Sequence, residues 1–416
     1  MKFIGDFHIH SKYSRAVSAF MNLENLDAWA AIKGIQVMGT GDFTHPAWIS
    51  EIQDKLEEAE EGFLKLKNTD SATRFVLTSE ISCIYKKKDK VRKSHIIIFA
   101  PSVAAVEKIN SALGNIGNLA SDGRPILGLD QKELLKIALD ADENCLVVPA
   151  HAWTPWFSIF GSKSGFDSLE ESFNECTKYI YAIETGLSSD PKMNWRISAL
   201  DKVTLISNSD SHSLQKIGRE ANVFDTDFNY QGIFEAIKTK DKNKFLYTIE
   251  FFPEEGKYHF DGHSLCKVSL SPEASKKVNN ICPKCKKKLI IGVLNRVEEL
   301  ADRPEGFVPE NAIPFKSLIP LQEIIAGSIG LGVSSKAVQK HYNNLIKNLG
   351  NEFNILLDQS EEAIAKHSLP EVAEGLGRVR KGEVTIEPGY DGVYGKIRLF
   401  SDAEKVQKNN QTRLFN

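Results

Sequence analysis

The sequence predicts an α/β fold, then a small module rich in histidine and cysteine, then a mainly helical C-terminal domain, with boundaries at residues 1–240, 241–300 and 301–416. Short apolar segments alternate with helical patterns in the first region, as they do in parallel α/β sheets and barrels. Short extended pieces surround the histidines and cysteines of the second region. The third region opens with a Pro-containing connector and continues as helical stretches.

Length and composition fit a soluble globular protein of about two or three domains. The 416 residues are 42% hydrophobic and 26% charged, and the net charge of −3 gives no overall nucleic-acid signal. No apolar run reaches the roughly 18 to 20 residues of a membrane helix, and the N-terminus has no signal-peptide pattern. The six cysteines are too few for a dense disulfide framework. We therefore expect a cytoplasmic protein that does not associate with membranes.

The elements of the α/β region are predicted from its alternating segments. Strands are expected over 3–10, 35–42, 74–82, 94–101, 145–153, 180–186 and 203–212. Helices are expected over 23–34, 47–67, 103–113, 131–139 and 191–200. Further along the chain, helices are expected over 320–332 and 334–350, and a hairpin over 382–400 because "PGYDG" supplies turn residues.

Side chains that bind metals collect at the predicted carboxyl ends of these strands. His8 and His10 are two residues apart, so both point to one face of a strand while Phe7 and Ile9 point to the other. Active sites of α/β barrels are built at this edge. His95 is an exception, because it lies at the start of its strand. The candidate ligands are His8, His10, Asp42, His45, Glu80, His95, His151, Asp210 and His212.

This set of imidazoles and carboxylates suits two or three divalent ions such as zinc, manganese or magnesium. Any one of the histidines alone would more simply be a core or surface residue. Closely spaced ions can activate a water and stabilise both the attacking and the leaving oxygen in phosphoryl chemistry. The pattern therefore favours hydrolysis of a phosphoester.

The motifs "DFHIHSKYS", "GTGD", "LTSE", "HIIIFA", "PAHAW" and "SNSDSH", in this order, resemble the polymerase and histidinol phosphatase (PHP) superfamily. The resemblance implies a distorted seven-stranded (β/α) barrel that binds three metal ions for phosphoester hydrolysis. The ligands it implies are His8, His10, Glu80 as a bridging group, His95, His151, Asp210 and His212.

The second of these motifs departs from the superfamily, in which histidine usually follows the aspartate directly. Asp42 is followed here by Phe43 and Thr44, so either Asp42 or His45 takes that ligand position. Asp6 is either a group that orients a ligand or an ordinary strand residue.

Two pairs of residues in the second region have the spacing of a structural zinc site. His263 and Cys266 form one pair, and Cys282 and Cys285 form the other. Four such ligands suit a closed, tetrahedral zinc ion with no position left for a substrate. His259 is an alternative to His263, and a redox-active pair of Cys282 and Cys285 is the alternative to the whole site.

Basic and aromatic residues are the candidates for contact with DNA or with a base. Lys286 and Lys287 lie in a basic run beside the cysteines, which is either a solvated loop or a surface for phosphates. Trp153, Trp156 and Phe157 either pack in the core or stack on a base that is held out of the helix.

Asp190 lies between the strand that ends at Glu184 and a helix that begins with Pro191. As a residue directly before a helix, it is well placed to be an N-cap. The alternative is that Asp190 or Glu184 organises the catalytic pocket.

The zinc segment with its flank "FFPEEGKYHFDGHSLC", the knuckle "CPKC", the segment "VLNRVEELADRP" and the terminal "EPGYDGVYG" resemble the endonuclease Q family, and the resemblance covers nearly the whole chain. It implies nicking of double-stranded DNA on the 5′ side of deaminated bases (uracil, hypoxanthine and xanthine) and at abasic sites. Glu80, Asp190 and Asp210 are then the candidate catalytic residues. A sliding clamp is a candidate partner, and a monomer is expected.

Two other functions stay open on the sequence alone. A small-molecule phosphoesterase of the PHP superfamily, acting on histidinol phosphate or a nucleotide, would need no extended basic surface. A nucleic-acid-binding or scaffold protein with vestigial metal sites is disfavoured by the near-complete set of ligands.

Overall fold

The computed structural model describes residues 1–401 and Glu404. The strands are β1 (Lys2–Asp6), β2 (Val37–Gly39), β3 (Leu56–Glu58), β4 (Leu64–Leu66), β5 (Arg74–Lys87), β6 (Lys90–Ala100), β7 (Ile126–Leu127), β8 (Leu146–Pro149), β9 (Ala182–Glu184), β10 (Thr204–Ile206), β11 (Ala221–Asp225), β12 (Phe245–Glu250), β13 (Asp261–His263), β14 (Val268–Leu270), β15 (Phe315–Ser317), β16 (Thr385–Glu387) and β17 (Lys396–Arg398).

The helices are α1 (Leu23–Lys33), α2 (Pro46–Lys55), α3 (Val103–Gly114), α4 (Gln131–Ala141), α5 (Leu169–Phe173), α6 (Pro191–Asn194), α7 (Tyr230–Thr239), α8 (Pro272–Lys277), α9 (Val293–Leu300), α10 (Leu321–Ile329), α11 (Lys336–Leu349), α12 (Glu352–Leu357), α13 (Glu361–His367) and α14 (Pro370–Lys381). Across the described residues, no helix combines the length and the apolar character that crossing a membrane requires.

The large sheet is mixed rather than parallel. Its strands follow the order β15-β12-β11-β1-β2-β5-β4-β3, and β6 branches from β5 to β8. The pairs β1/β2 and β2/β5 are parallel, whereas β5/β6 and β6/β8 are antiparallel. The prediction of a parallel arrangement is therefore wrong at β6, because β5 and β6 are joined by a tight turn at Lys88 and Asp89, which both have positive φ. A two-residue turn of this kind joins only antiparallel strands.

This antiparallel turn explains why His95 lies at the start of its predicted strand. In the β5/β6 pair, Ser82 is opposite His95, so the early part of β6 lies beside the late part of β5. In the next pair, Ile96 is opposite Pro149, the last residue of β8. His95 therefore lies at the same edge of the sheet as the other candidate ligands.

Closure into a seven-stranded barrel is not confirmed by the strand pairing. Strands β9 and β10 pair with each other as a separate two-stranded sheet. Two local contacts connect this pair to the large sheet. Ala152 N donates to Glu184 O at 2.9 Å on the side of β8, and Ile9 and Ser211 form an isolated parallel bridge on the side of β1.

The strand predicted over 3–10 is too long, because β1 ends at Asp6, but the alternation of faces expected over 7–10 is present. Phe7 and Ile9 are both fully buried in the core, and Phe7 packs edge-on against Phe99 with ring centroids 5.4 Å apart. His8 and His10 occupy the other face and are buried as well. This burial excludes the interpretation of the two histidines as solvated strand residues.

The long helix predicted over 47–67 is wrong in its second half. Helix α2 ends at Lys55, and β3 and β4 then form an antiparallel pair. In β4, Leu64 and Leu66 are buried while Lys65 between them is not, which is the period of a strand. The prediction over 191–200 is also too long, because α6 covers four residues before a 3₁₀ turn at 198–202.

The C-terminal region is helical from α10 to α14 and ends in the predicted β16/β17 hairpin, which is confirmed as an antiparallel pair. The domain boundaries at 240 and 300 stay a prediction. Strand β12 lies beyond the first boundary and β15 lies beyond the second, and these two strands pair in parallel within the large sheet.

Candidate metal centre

Two groups of ligand atoms lie at the edge of the sheet where β1, β5, β6 and β8 meet. One group comes from His8, His10 and Asp210, and the other from Glu80, His95 and His151. Within each group the nitrogen and oxygen atoms lie within 4.8 Å of one another. The sequence prediction that these six residues converge agrees with this geometry.

The Glu80 carboxylate belongs to the second group and also faces the first. Its Oε2 is 3.5 Å from His8 Nε2 and 3.3 Å from His10 Nε2. Its Oε1 is 2.8 Å from His95 Nδ1 and 3.2 Å from His151 Nε2. One oxygen therefore faces each group, which is the geometry of a carboxylate that bridges two metal ions.

Buried polar atoms without partners test whether these residues fit metal ions. His8 Nε2, His10 Nε2 and Asp210 Oδ1 are buried and have no hydrogen-bond partner in the described part of the chain. Leaving such atoms unsatisfied costs about 1–3 kcal/mol each. Imidazole nitrogens and a carboxylate oxygen are ligands for divalent metals, so the atoms that lack a protein partner are the ones that would hold an ion.

Two carboxylates orient His8 and His10, which follow β1, through the ring nitrogens that face away from Glu80. Glu184 Oε1 is 3.0 Å from His8 Nδ1, and Asp42 Oδ1 is 3.0 Å from His10 Nδ1. A carboxylate at Nδ1 fixes the tautomer in which Nε2 carries the free lone pair. Both Nε2 atoms therefore face the Glu80 side as metal ligands would.

Asp42 is fully engaged in this orienting role. Its Oδ2 accepts hydrogen bonds from Ser11 N at 2.6 Å, Ser11 Oγ at 2.7 Å and Ser14 Oγ at 2.9 Å. Burial opposes ionisation of Asp42, but the contact with His10 and these hydrogen bonds hold the pKa of the carboxyl below its ordinary value. The group is therefore a permanent anion behind His10.

Glu184 and Asp6 support the site in a similar way. Glu184 accepts from His151 N at 2.8 Å and from Asn208 Nδ2 at 2.9 Å, so it connects the histidines of both groups. Asp6 accepts from Ser209 N at 3.0 Å and from Gly218 N at 2.9 Å. Asp6 therefore fixes the loop that carries Asp210, which makes it an orienting group.

The backbone is unusual at three residues of this site. Asp42, His151 and Asp210 have φ values of 49°, 29° and 45°. The left-handed region costs a residue with a side chain about 1–2 kcal/mol, and such conformations concentrate at functional sites. Gly186 contacts one of these residues, since a Cβ there would lie 2.5 Å from His151 Cβ.

Groups around Glu80 keep its carboxyl ionised, and the ionised form is the one that binds cations. Burial opposes ionisation, but Arg124 and His8 hold the pKa of the Glu80 carboxyl well below its ordinary value. Arg124 Nη1 donates to Glu80 Oε2 at 3.1 Å. Burial lowers the pKa of His95 to about 4 although Glu80 opposes this, so its imidazole is neutral and has a lone pair for a metal.

Three of the predicted ligands lie outside the two groups. Asp42 is behind His10, as described. His45 precedes α2 and stacks on Tyr13 with ring centroids 4.4 Å apart, and its buried Nδ1 has no partner among the described residues. His212 is partly exposed, and its Nδ1 lies 2.9 Å from the backbone oxygen of Asp210. Metal binding by these three residues stays a prediction.

Asp190 serves as the N-cap of α6. Its Oδ1 accepts a hydrogen bond from Met193 N at 2.9 Å. Burial raises the pKa of Asp190 to about 6. The capping interpretation thus agrees with the geometry, and a catalytic role for Asp190 stays a prediction.

The three aromatic candidates lie in different environments. Trp153 is 1% exposed and donates from Nε1 to Asn194 Oδ1 at 2.7 Å, so it is part of the core. Phe157 packs on His95, with ring centroids 4.9 Å apart. Trp156 is 37% exposed and contacts Tyr258 edge-on at 5.4 Å. Of the three, Trp156 is the most exposed, and Phe157 is half-buried.

The second candidate metal site is formed as the sequence predicts. Ligand atoms of His263, Cys266, Cys282 and Cys285 lie within 4.8 Å of one another. Lys286 N donates to Cys282 O at 2.9 Å, which closes the turn between the cysteines, and Lys286 and Lys287 are exposed beside it. His259 is not part of this group; it is buried, and its unpartnered Nδ1 makes no contact with the cysteines in the described structure.

A cavity of about 740 Å³ opens beside the first metal site. Asp210 and His212 line it on one side, and Tyr258 and Tyr394 line it on the other. Tyr394 comes from the loop of the β16/β17 hairpin, and Gly392 N in the same loop donates to Lys257 O at 3.0 Å. The C-terminal hairpin therefore completes the wall of a cavity at the metal centre.

Sequence reasoning missed Arg124, which contacts Glu80 directly. It lies in the loop 121–125, "SDGRP", where nothing in the local pattern indicates contact with a strand more than forty residues away. Glu184 could be identified from the sequence because it lies at the end of a predicted strand, as the candidate metal ligands do.

The orienting role of Asp42 leads to a prediction that separates it from His45. Asp42→Asn removes the anion behind His10 and should weaken metal binding by about 10–100-fold, whereas His45→Gln should leave it unchanged. Titration of the metal-free protein with Mn²⁺ or Zn²⁺ measures both. Loss of affinity in His45→Gln with wild-type affinity in Asp42→Asn would reverse the assignment.

Comparison with known proteins first gives relatives by sequence. Residues 320–383 match the family model described as the MJ0043 C-terminal domain. The uncharacterized protein MJ0043 of Methanocaldococcus jannaschii is 38% identical over 255 residues. These residues are 59% of this chain and 31% of that protein, so the chain spans less than a third of this relative. The uncharacterized protein YqxK of Bacillus subtilis is 31% identical over 379 residues, 88% of this chain and 89% of its own.

Two solved structures match nearly the whole chain. One is the lesion-specific endonuclease PfuEndoQ of Pyrococcus furiosus, with a TM-score of 0.86, 32% identity and coverage of 98% of this chain and 99% of that one. The other is endonuclease Q in complex with a 27-mer duplex that has an abasic lesion at the active site, with a TM-score of 0.85, 32% identity and coverage of 97% and 98%. The chain belongs to the endonuclease Q family.

Proposed function

We propose that the chain is a metal-dependent DNA repair endonuclease that hydrolyses the phosphodiester 5′ to deaminated bases (uracil, hypoxanthine and xanthine) and to abasic sites. The observation that carries the proposal is the Glu80 carboxylate between two groups of ligand atoms, in a fold shared with a lesion-specific endonuclease. The known complex with an abasic duplex supports double-stranded DNA as the substrate.

The metal ions of the proposal are zinc, manganese or magnesium, held by His8, His10 and Asp210 on one side of Glu80 and by His95 and His151 on the other. Two such ions would activate the attacking water and stabilise the leaving oxygen of the phosphodiester. The share of imidazole among the ligands favours zinc over magnesium.

The side chains of the protein prepare this chemistry by position and charge. Asp42 and Glu184 fix the histidine tautomers, so Nε2 of His10 and His8 points toward Glu80. Arg124 adds a cation beside Glu80, where it offsets the negative charge that a phosphodiester brings. Lys216 and Arg219 line the adjoining cavity, where Lys216 pairs with Glu323 at 2.5 Å.

The cavity beside the metals is proposed to accept the extruded nucleotide. Its volume of about 740 Å³ lies in the range of small-molecule sites. Tyr258 and Tyr394 offer aromatic surface for a base, and Trp156 supports Tyr258 from outside. A damaged or mispaired base costs less to extrude than a paired one, which contributes to selectivity.

The proposal also includes a seven-stranded barrel and a structural zinc site. Strands β1, β2, β5, β6, β8, β9 and β10 are proposed to form the seven-stranded barrel, supported by the contacts of Ala152 with Glu184 and of Ile9 with Ser211. His263, Cys266, Cys282 and Cys285 are proposed to hold a structural zinc ion. A monomeric state, a sliding-clamp partner and a cytoplasmic location stay predictions.

The catalytic assignment is tested by removal of one ligand. Asp210→Ala should abolish nicking of a 5′-labelled duplex that contains uracil or an abasic site, while binding of the duplex survives. Asp225→Ala is the matched control, since Asp225 is paired with the start of β1 at the opposite edge of the sheet. Retained cleavage in Asp210→Ala, with unchanged metal content, would refute the assignment.

The role of the cavity is tested by comparing a substrate that has a base with one that has none. Tyr394→Ala should lower kcat/KM on uracil-containing duplex by about 5- to 150-fold, the equivalent of the roughly 1–3 kcal/mol for stacking of one base. Cleavage at an abasic site should stay near the wild-type rate, because no base stacks there. Tyr179→Ala, which alters another exposed tyrosine, is the control. An equal loss on both substrates would contradict base stacking on Tyr394.

A further inference from the structure

Helix α11 presents a row of polar side chains to solvent. Lys336, Lys340, Asn343 and Lys347 are all exposed. Their spacing of four, three and four residues places them within about 60° of one another around the helix, because each residue advances the helix by about 100°. We call these four residues the α11 stripe. The opposite face of the helix packs into the core through Val338, Tyr342 and Leu345.

The α11 stripe is a local excess of positive charge on a chain whose net charge is −3. Residues 330–349 contain three lysines and no aspartate or glutamate. Many exposed lysines of this chain pair with a carboxylate, as Lys276 does with Glu298 at 3.0 Å. Among the described residues, no ion pair involves the three lysines of the stripe. Their charge is therefore free to attract an anion.

The shape of the surface suits an extended polyanion better than a small one. The stripe covers about 16 Å along the helix axis, which equals about five nucleotides of one strand at roughly 3.4 Å each. A groove of about 530 Å³ runs beside it, and all of its lining residues except Leu369 have polar or charged side chains. Asn344 and Lys366 are among the groups along this groove, and they add hydrogen-bond donors to the charge of Lys340 and Lys347.

Two neighbouring cavities connect the metal centre with the start of α11. Lys216 lines the cavity that also contains Asp210 and His212. The same Lys216 lines a second cavity of about 410 Å³, together with Ser334 and Gln339 at the start of α11. Lys216, which pairs with Glu323 at 2.5 Å, therefore lies between the metal centre and the start of α11.

We propose that the α11 stripe binds the phosphate backbone of duplex DNA next to the scissile phosphate. This inference rests on the proposed function and assigns part of its substrate surface. Lysines bind phosphates as point charges with little dependence on sequence. The stripe thus contributes affinity and position on the duplex and takes no part in the chemical step.

The test is a triple variant, Lys336→Gln, Lys340→Gln and Lys347→Gln, compared with a matched triple variant, Lys238→Gln, Lys242→Gln and Lys244→Gln. The three control lysines are exposed and lie near the end of β11, at the edge of the sheet opposite to the metals. Both variants remove three positive charges. Circular dichroism and metal content establish that each variant is folded.

Fluorescence anisotropy with a duplex carrying an abasic site, over a range of salt concentrations, gives the dependence of the binding constant on salt. Loss of three phosphate contacts should reduce the slope of log K against log salt by about 2.7 in the stripe variant and leave it unchanged in the control. At saturating DNA, kcat should be the same in both variants. Single substitutions, each expected to reduce the slope by about 0.9, replace the triple variant if it does not fold.

An unchanged slope in the stripe variant would overturn the proposal, and so would an equal change in the control, which would indicate an effect of bulk charge. The result is separable from that of the proposed function. If the wild-type protein bound the duplex without nicking it, the proposed function would fail, while the slope would still decide the role of the stripe.

Discussion

The site depends on one buried anion, the carboxylate of Glu80. An ionised group away from water is costly unless cations and hydrogen bonds surround it. Glu80 is contacted by nitrogens of His8, His10, His95 and His151 and by the guanidinium of Arg124. The strands that meet there are held in register so that each of its oxygens faces a different group of ligands. The histidines around Glu80 carry a positive charge only when they are protonated. Metal ions bound to the two groups would supply positive charge that does not depend on protonation.

Further carboxylates give the centre its rigidity. Asp42, Glu184 and Asp6 each accept at least two hydrogen bonds, and each connects a ligand or a ligand-bearing loop to a separate part of the chain. The contact between His8 and Glu184 joins residues 176 positions apart. A set of ligands drawn from so many strands stays in place because its partners come from those strands as well, which is how preorganised metal sites keep their geometry.

Local patterns predicted the parts of this structure that local physics decides. The two-residue period of a strand placed His8 and His10 on one face, and the spacing of His263, Cys266, Cys282 and Cys285 placed four ligands around one point. The helix predicted over 47–67 failed because buried and exposed residues change to a period of two after Lys55. The position of His95 required the antiparallel turn after β5, and Arg124 required the full tertiary structure, so neither contact was accessible from spacing alone.

We propose that Glu80 bridges two metal ions. The most direct measurement is anomalous X-ray scattering from crystals of the protein soaked with Mn²⁺, with data collected near the manganese edge. The account predicts one peak among His8, His10, Asp210 and Oε2 of Glu80, and a second among His95, His151 and Oε1 of Glu80. A single peak that does not contact Glu80, or peaks bound by Asp42 and His45 instead, would contradict it.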